Sequence, residues 1–141
     1  MPLHLVCPQC GTLNRVDETK LDAAPVCGTC KTRLVPGEPI ALAGEGFARY
    51  VARTELPVVV DFWAEWCGPC RAMAPQFARA ARDLAGRVQF AKVDTEADPA
   101  IAQQYGIRSI PTLVLFERGS ERDRRSGAMG AEELKRWLLA R

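Results

Sequence analysis

The sequence predicts an α/β sandwich built on a mixed sheet, preceded by a small module with no core of its own. Three observations carry this. At 141 residues the chain has room for one sizeable core and at most a minidomain beside it. Beyond Pro39, strand and helix patterns alternate and close on a hairpin. Residues 1–36, by contrast, are short of large apolar side chains and are punctuated by Pro2, Pro8, Gly11, Pro25, Gly28 and Pro36. A segment that small cannot bury enough surface to fold on hydrophobicity alone, so something else must hold it. Pro36, Gly37 and Pro39 read as the linker, which divides the chain into a module over 1–36 and a larger domain over 37–141.

The elements follow in order. A short strand is expected near Ile40–Leu42 and a weakly patterned helix over Glu45–Arg53. Pro57 opens the β-branched run Val58, Val59, Val60 and Phe62, apolar on both alternating faces, which is the pattern of a central strand covered on each side. A helix over Cys67–Ala85 carries Met73, Phe77 and Leu84 near helical spacing, with a kink at Pro75 and a stop at Gly86. Val88–Asp94 forms the next strand. Asp98 before Pro99 is an N-cap and first-turn pair for a short helix to Tyr105. Leu113–Phe116 is a strand, and the turn at Gly119 leads into Glu121–Arg125, so charged that it belongs at a sheet edge. A last helix spans Glu132–Ala140.

Composition narrows the function. Nineteen basic against seventeen acidic residues leave a net charge of +2, and residues 1–37 hold four basic and three acidic groups. Neither region offers a polybasic face for nucleic acid. The longest run of large apolar residues, Leu113–Phe116, is far short of a membrane span, and Met1–Cys10 lacks the basic and apolar regions of a signal peptide. The expectation is a cytoplasmic monomer without nucleic-acid or membrane partners.

All six cysteines fall into Cys-x-x-Cys pairs. Cys7/Cys10 and Cys27/Cys30 are separated by the sixteen residues Gly11–Val26, the spacing of a four-cysteine zinc site. Zinc would then substitute for the missing core. Four thiolates leave no open position for water or substrate, so one structural Zn²⁺ is expected, its charge offset by Arg15, Lys31 and Arg33. Two structural disulfides are the competing reading, disfavoured without an export signal. His4 beside a complete ligand set reads as a bystander.

Cys67 and Cys70 stand in different surroundings, after the central strand and at the start of the long helix. Unpaired N–H groups and the helix dipole stabilise an anion there, so Cys67 should be the thiolate that attacks. Cys70, one turn further in, should resolve the mixed disulfide. Gly68 leaves space for a substrate chain, and Pro69 lacks an N–H that the first turn would leave unsatisfied anyway.

From Asp61-Phe62-Trp63-Ala64-Glu65-Trp66-Cys67-Gly68-Pro69-Cys70 and Tyr105-Gly106-Ile107-Arg108-Ser109-Ile110-Pro111-Thr112-Leu113, residues 38–141 resemble thioredoxin. With the cysteine-rich front end, the whole chain resembles the bacterial thioredoxin 2 type, which carries an N-terminal zinc-binding extension. The resemblance implies a thioredoxin fold, a central mixed sheet flanked by helices, behind a zinc-ribbon-like module. It implies reduction of protein disulfides, recharged by thioredoxin reductase with NADPH used only indirectly and no organic cofactor bound.

The resemblance also implies roles. Asp61, an acid inside an apolar strand, would exchange a proton with Cys70, with Lys92 beside it; the residues alone allow a partly solvated strand-end carboxylate. Pro111 would be a cis-proline that leaves Ile110 backbone groups free for substrate. Trp63 would pack beneath the site, Trp66 would flank the docking surface, and Gly127 and Ala128 would belong to its rim. Ser126, where an aliphatic residue is usual, and the charged strand Glu121–Arg125 depart from the pattern and bear on substrate preference. A rival reading makes the zinc knuckles the working part of a binding protein; a solvent-reachable dithiol at a helix start argues against it. The zinc module is expected to be separable from the dithiol domain, contributing too little apolar area for a shared core.

Overall fold

The computed structural model describes residues 2–140. Its elements are β1 (Pro2–Val6), β2 (Leu13–Asp17), a 3₁₀ turn (Glu18–Lys20), β3 (Ile40–Ala41), α1 (Gly44–Arg53) and β4 (Val58–Trp63). They continue with α2 (Gly68–Asp83), β5 (Gln89–Asp94), α3 (Pro99–Gln104), β6 (Thr112–Glu117), β7 (Ser120–Ser126) and α4 (Ala131–Leu139). β1 and β2 form an antiparallel pair, and the other strands form a mixed sheet in the order β3-β5-β4-β6-β7. Parallel β3, β5 and β4 meet antiparallel β6 and β7 in that sheet.

β4 lies at the centre, as its two-faced apolar run requires. Val59 points into a core closed by Met73 and Phe77 of α2 and Leu134 and Trp137 of α4. Val58, Val60 and Phe62 point into the opposite core, closed by Phe47 and Tyr50 of α1 and Ile101 of α3. Helices therefore cover both faces, which is what lets every residue from Val58 to Phe62 be buried. β7, with its charged side chains, takes the edge. Arg118 and Gly119 both have positive φ, the backbone a tight hairpin turn demands.

Three local expectations shift. α2 begins at Gly68, with Cys67 as its extended N-cap, and continues through Pro75 to Asp83. Asp98 occupies the N-cap position of α3, but its carboxylate makes no cap bond there. It accepts instead from the Gly44 N–H at 2.6 Å, so it serves the start of α1. His4 is tied down: its backbone N–H donates to Glu55 Oε1 at 2.8 Å, its ring Nδ1 lies 3.2 Å from the same oxygen, and its carbonyl accepts from Glu55 N.

The larger correction concerns the front module, which does contribute to a shared core. β1 buries both its faces at its C-terminal end, Leu5 at 0% and Val6 at 2% exposure. Leu5 joins Val16, Leu34 and Val35 in a cluster that also takes Leu56 of the larger domain. Val6 faces the other way, into the core with Phe47, Tyr50 and Val51, and Leu13 packs there too. Polar bonds cross the same junction. Gln89 Nε2, buried at the start of β5, donates to the Leu34 carbonyl at 2.7 Å and to the Tyr50 hydroxyl at 3.0 Å. Arg49 Nε donates to the Gly11 carbonyl. Counting large side chains missed this because a two-stranded ribbon with a neighbour on each face can bury adjacent residues.

Candidate functional site

Two cysteine sites result, one at each kind of knuckle. In the front module, the turn Cys7–Thr12 and the turn Cys27–Thr32 repeat one geometry. Cys7 N donates to Thr12 O and Gly11 N to Cys7 O; Cys27 N donates to Thr32 O and Lys31 N to Cys27 O. Gly11 and Lys31 occupy equivalent left-handed positions, with φ of +79° and +68°. Glycine is at home there and lysine is strained.

The repeat brings four sulfurs together, all within 4.8 Å of one another. Cys7 Sγ lies 3.5 Å from Cys30 Sγ, and Cys10 Sγ lies 3.6 Å from Cys27 Sγ. Sulfurs at tetrahedral corners about 2.3 Å from Zn²⁺ are about 3.8 Å apart, so the set fits that ion. Cys7 and Cys27 are buried, Cys10 and Cys30 exposed. The inner sulfurs accept backbone N–H groups at 3.4 Å, from Gln9 and Cys10 to Cys7 and from Thr29 to Cys27. Each outer sulfur lies 3.1 Å from a hydroxyl, Cys10 from Thr12 and Cys30 from Thr32. Backbone donors, foremost that of Cys30, pull the Cys27 thiol well down, whereas burial pushes Cys7 up. His4 is not among the clustered ligands.

The second site stands at the C-terminal end of β4. Strand, short turn and helix start place Cys67 at the head of α2, where Cys70 N donates to its Sγ at 3.2 Å. Cys67 and Cys70 are disulfide-bonded, with Cα atoms 5.3 Å apart. Cys67 lines a groove of about 440 Å³ with Trp66, Gly68, Pro69 and Ile110. Cys70 is buried behind it. Trp66 is 69% exposed, the most open of the large apolar side chains among the described residues. A side chain at Gly68 would meet nothing within 4 Å, so the approach to Cys67 is clear on that side.

The opposite wall is set by the cis peptide Ile110–Pro111, whose Ile110 carbonyl lies 3.7 Å from Cys67 Sγ. Gly127, at φ +96°, donates its N–H to the Pro111 carbonyl and closes the loop from behind. Asp61 shares the face of β4 that carries Val59, toward α2, and both its oxygens are buried without a hydrogen-bond partner among the described residues. Burial raises its carboxyl from 3.8 to about 7, and the Lys92 charge on the paired strand β5 offsets only part of that. Lys92 Nζ itself rests 4.3 Å from the centre of the Trp63 ring. The structure thus gathers Cys67, Gly68, Pro69, Trp66 and Ile110 at one groove, and pairs Asp61 with Lys92 across β4 and β5. Sequence reasoning assigned no role to Arg108 in that groove, to Thr12 and Thr32 beside the outer thiols, or to Gln89 at the junction. The two threonines were legible as the repeated Cys-x-x-Cys-x-Thr; the other two carried no local signal.

A paired dithiol at the head of a helix, on a mixed sheet flanked by helices and facing a cis-proline loop, defines a thiol–disulfide oxidoreductase. The comparisons agree: the thioredoxin family model matches residues 38–140, and the model for the N-terminal region of thioredoxin 2 matches residues 6–32. The chain belongs to the thioredoxin family. It is 48% identical over 134 residues to thioredoxin C-3 of Corynebacterium nephridii, covering 95% of this chain and 92% of that one. Thioredoxin 1 of Nostoc is 45% identical over 65% of this chain and 86% of its own. Among solved structures, a mutant thioredoxin from Halobacterium salinarum superposes with a TM-score of 0.68 at 31% identity, covering 74% of this chain and 91% of that one. Among the described residues no helix is long and apolar enough to cross a membrane.

Proposed function

We propose that the protein reduces disulfides in partner proteins, with Cys67 as nucleophile and Cys70 as resolving thiol. The observation that carries this is the placement of Cys67: it alone of the pair lines the groove, at a helix head whose Cys70 N–H already meets its sulfur. In the reduced protein that N–H and the helix dipole favour the thiolate. The thiolate attacks one sulfur of the substrate disulfide, forming a mixed disulfide and releasing the other substrate sulfur as a thiolate. Asp61, as carboxylate, accepts the Cys70 proton; Cys70 then attacks Cys67, and the second substrate sulfur leaves as a thiolate. Thioredoxin reductase, drawing on NADPH, returns the Cys67–Cys70 disulfide to the dithiol. Trp66, Gly68, Pro69, Ile110, Pro111 and Gly127 shape the docking surface, and Lys92 tunes Asp61. The protein works as a cytoplasmic monomer, with the dithiol in the unit over 37–141 and one structural zinc held by the module over 1–36 through Cys7, Cys10, Cys27 and Cys30.

When bound, that ion supplies charge and cross-linking rather than reactivity, because four sulfurs fill its coordination. The test is turnover of a disulfide-bearing protein with thioredoxin reductase and NADPH. Cys67→Ser should abolish it, and Cys70→Ser should stall as a mixed disulfide recoverable by non-reducing electrophoresis. Normal turnover by Cys67→Ser would overturn the assignment.

A further inference from the structure

The groove beside Cys67 has a single charged side chain in its lining, Arg108. The rest of its wall is largely apolar, with Trp66, Pro69, Ile107 and Ile110 on its surface. Arg108 is exposed and forms no ion pair with any described residue. The nearby acid Glu65 lines a separate recess with Trp63 and Arg71. Arg108 thus presents an uncommitted guanidinium to the groove, with no carboxylate among the described residues of the same lining.

Its position relative to the reacting atoms follows from the chain. Arg108 precedes Ile110 by two residues, and the Ile110 carbonyl lies 3.7 Å from Cys67 Sγ. Two residues span at most about 7 Å, and an extended segment of substrate advances about 3.3 Å per residue. A substrate whose sulfur meets Cys67 therefore brings residues one to three places from its cysteine within reach of the guanidinium. That planar fork matches a carboxylate through two parallel hydrogen bonds, and the apolar wall reduces the competition from water.

Resting on the disulfide-reductase reading above, we propose that Arg108 is a specificity-determining residue that favours disulfides flanked by an aspartate or glutamate within one to three residues of the cysteine attacked. The substrate class is acidic at the disulfide rather than acidic overall. Arg108 acts on recognition, so its effect falls on kcat/KM and weakens with salt.

The experiment uses the full-length, zinc-loaded, reduced protein and two capped peptides, each presented as the disulfide of two copies joined through a single cysteine. Both have the same composition; in one, glutamates stand two residues from the cysteine on either side, and in the other they stand six residues away. The second-order rate of reduction is followed by tryptophan fluorescence, and each rate is divided by that of dithiothreitol with the same peptide, which removes the peptide's intrinsic reactivity. The near-to-far ratio should be about two- to fivefold in the wild type, fall to about one in Arg108→Gln and drop below one in Arg108→Glu. An effect of Arg108 on the Cys67 thiolate would change both peptides equally and leave the ratio alone. A wild-type ratio of one, or a ratio that survives Arg108→Gln, overturns the inference while leaving the reductase reading intact. Failure of the wild type to reduce either peptide overturns the reductase reading and this inference with it.

Discussion

Replacing Asp61 by Asn removes a buried charge with no hydrogen-bond partner among the described residues and leaves a neutral group of the same shape. The carboxyl stands at 3.8 when solvated and at about 7 in the fold, raised by desolvation and partly offset by Lys92. The folded protein therefore keeps a proton that the unfolded chain gives up. Its stability is greatest below the unfolded value, falls as pH rises between about 4 and about 7, and is level above. At 1.36 kcal/mol per pH unit the full loss is about 4 kcal/mol. In Asn the loss is absent. The stability difference, variant minus wild type, should therefore grow by about 2 kcal/mol from about pH 5.5 to about pH 8 and approach about 4 kcal/mol in total. Urea unfolding of the oxidised, zinc-loaded proteins across that interval measures it. Working on the difference cancels every other titrating group, and the unsatisfied amide of Asn matches the protonated carboxyl it replaces. The variant should also reduce disulfides more slowly, most visibly in release of substrate from the mixed disulfide, where the Cys70 proton has to leave. A difference that stays flat with pH, or a release step unchanged by the substitution, would refute the reasoning and leave Asp61 a solvated strand-end acid.

The junction and the metal site make further predictions. A fragment beginning at Glu38 loses the Val6 and Leu13 cover over Phe47 and Tyr50, exposes Leu56, and leaves Gln89 without its Leu34 acceptor. Apolar exposure of about 2 kcal/mol and the lost Gln89–Leu34 hydrogen bond of about 1 kcal/mol set the expected loss at about 3 kcal/mol, read as a lower urea midpoint. Zinc removal from the full chain should lower the midpoint of the dithiol domain in the same direction, whereas a fragment and an apoprotein as stable as the holoprotein would restore the separable module. Thr12→Val with Thr32→Val removes the hydroxyl that lies 3.1 Å from each exposed sulfur. Zinc affinity, measured against a chromophoric chelator, should drop at least about tenfold; an unchanged affinity would mean that water serves the outer sulfurs equally well.

Much of the site was legible because its rules act within a few residues. Cys-x-x-Cys at the end of an apolar strand and the start of a helix places the Cys67–Cys70 pair at the helix head, since the helix supplies its own N–H groups. The sixteen-residue interval between the first two pairs indicates a four-sulfur cluster in the same way. The two-faced run Val58–Phe62 and the charged strand Ser120–Ser126 announce centre and edge, because one face or two must be covered and an edge must be protected. What tertiary structure decided is which neighbour each group meets. Asp98 is a cap by its position before Pro99, yet its carboxylate serves α1, because folding brings Gly44 closer than its own helix. Leu5 and Val6 look like one small hydrophobic patch, but the larger domain offers a surface on each side of β1 and turns a ribbon into a shared core. Asp61 was already marked as an acid among valines, while its elevation to about 7 depends on the tertiary burial that desolvates it. Arg108 is one arginine among many in the chain; only the fold places its charge in the lining of the groove that Cys67 shares. Local pattern specifies conformation and reactive type, and long-range packing specifies dielectric surroundings and partners, because desolvation and contact are properties of the assembled neighbourhood.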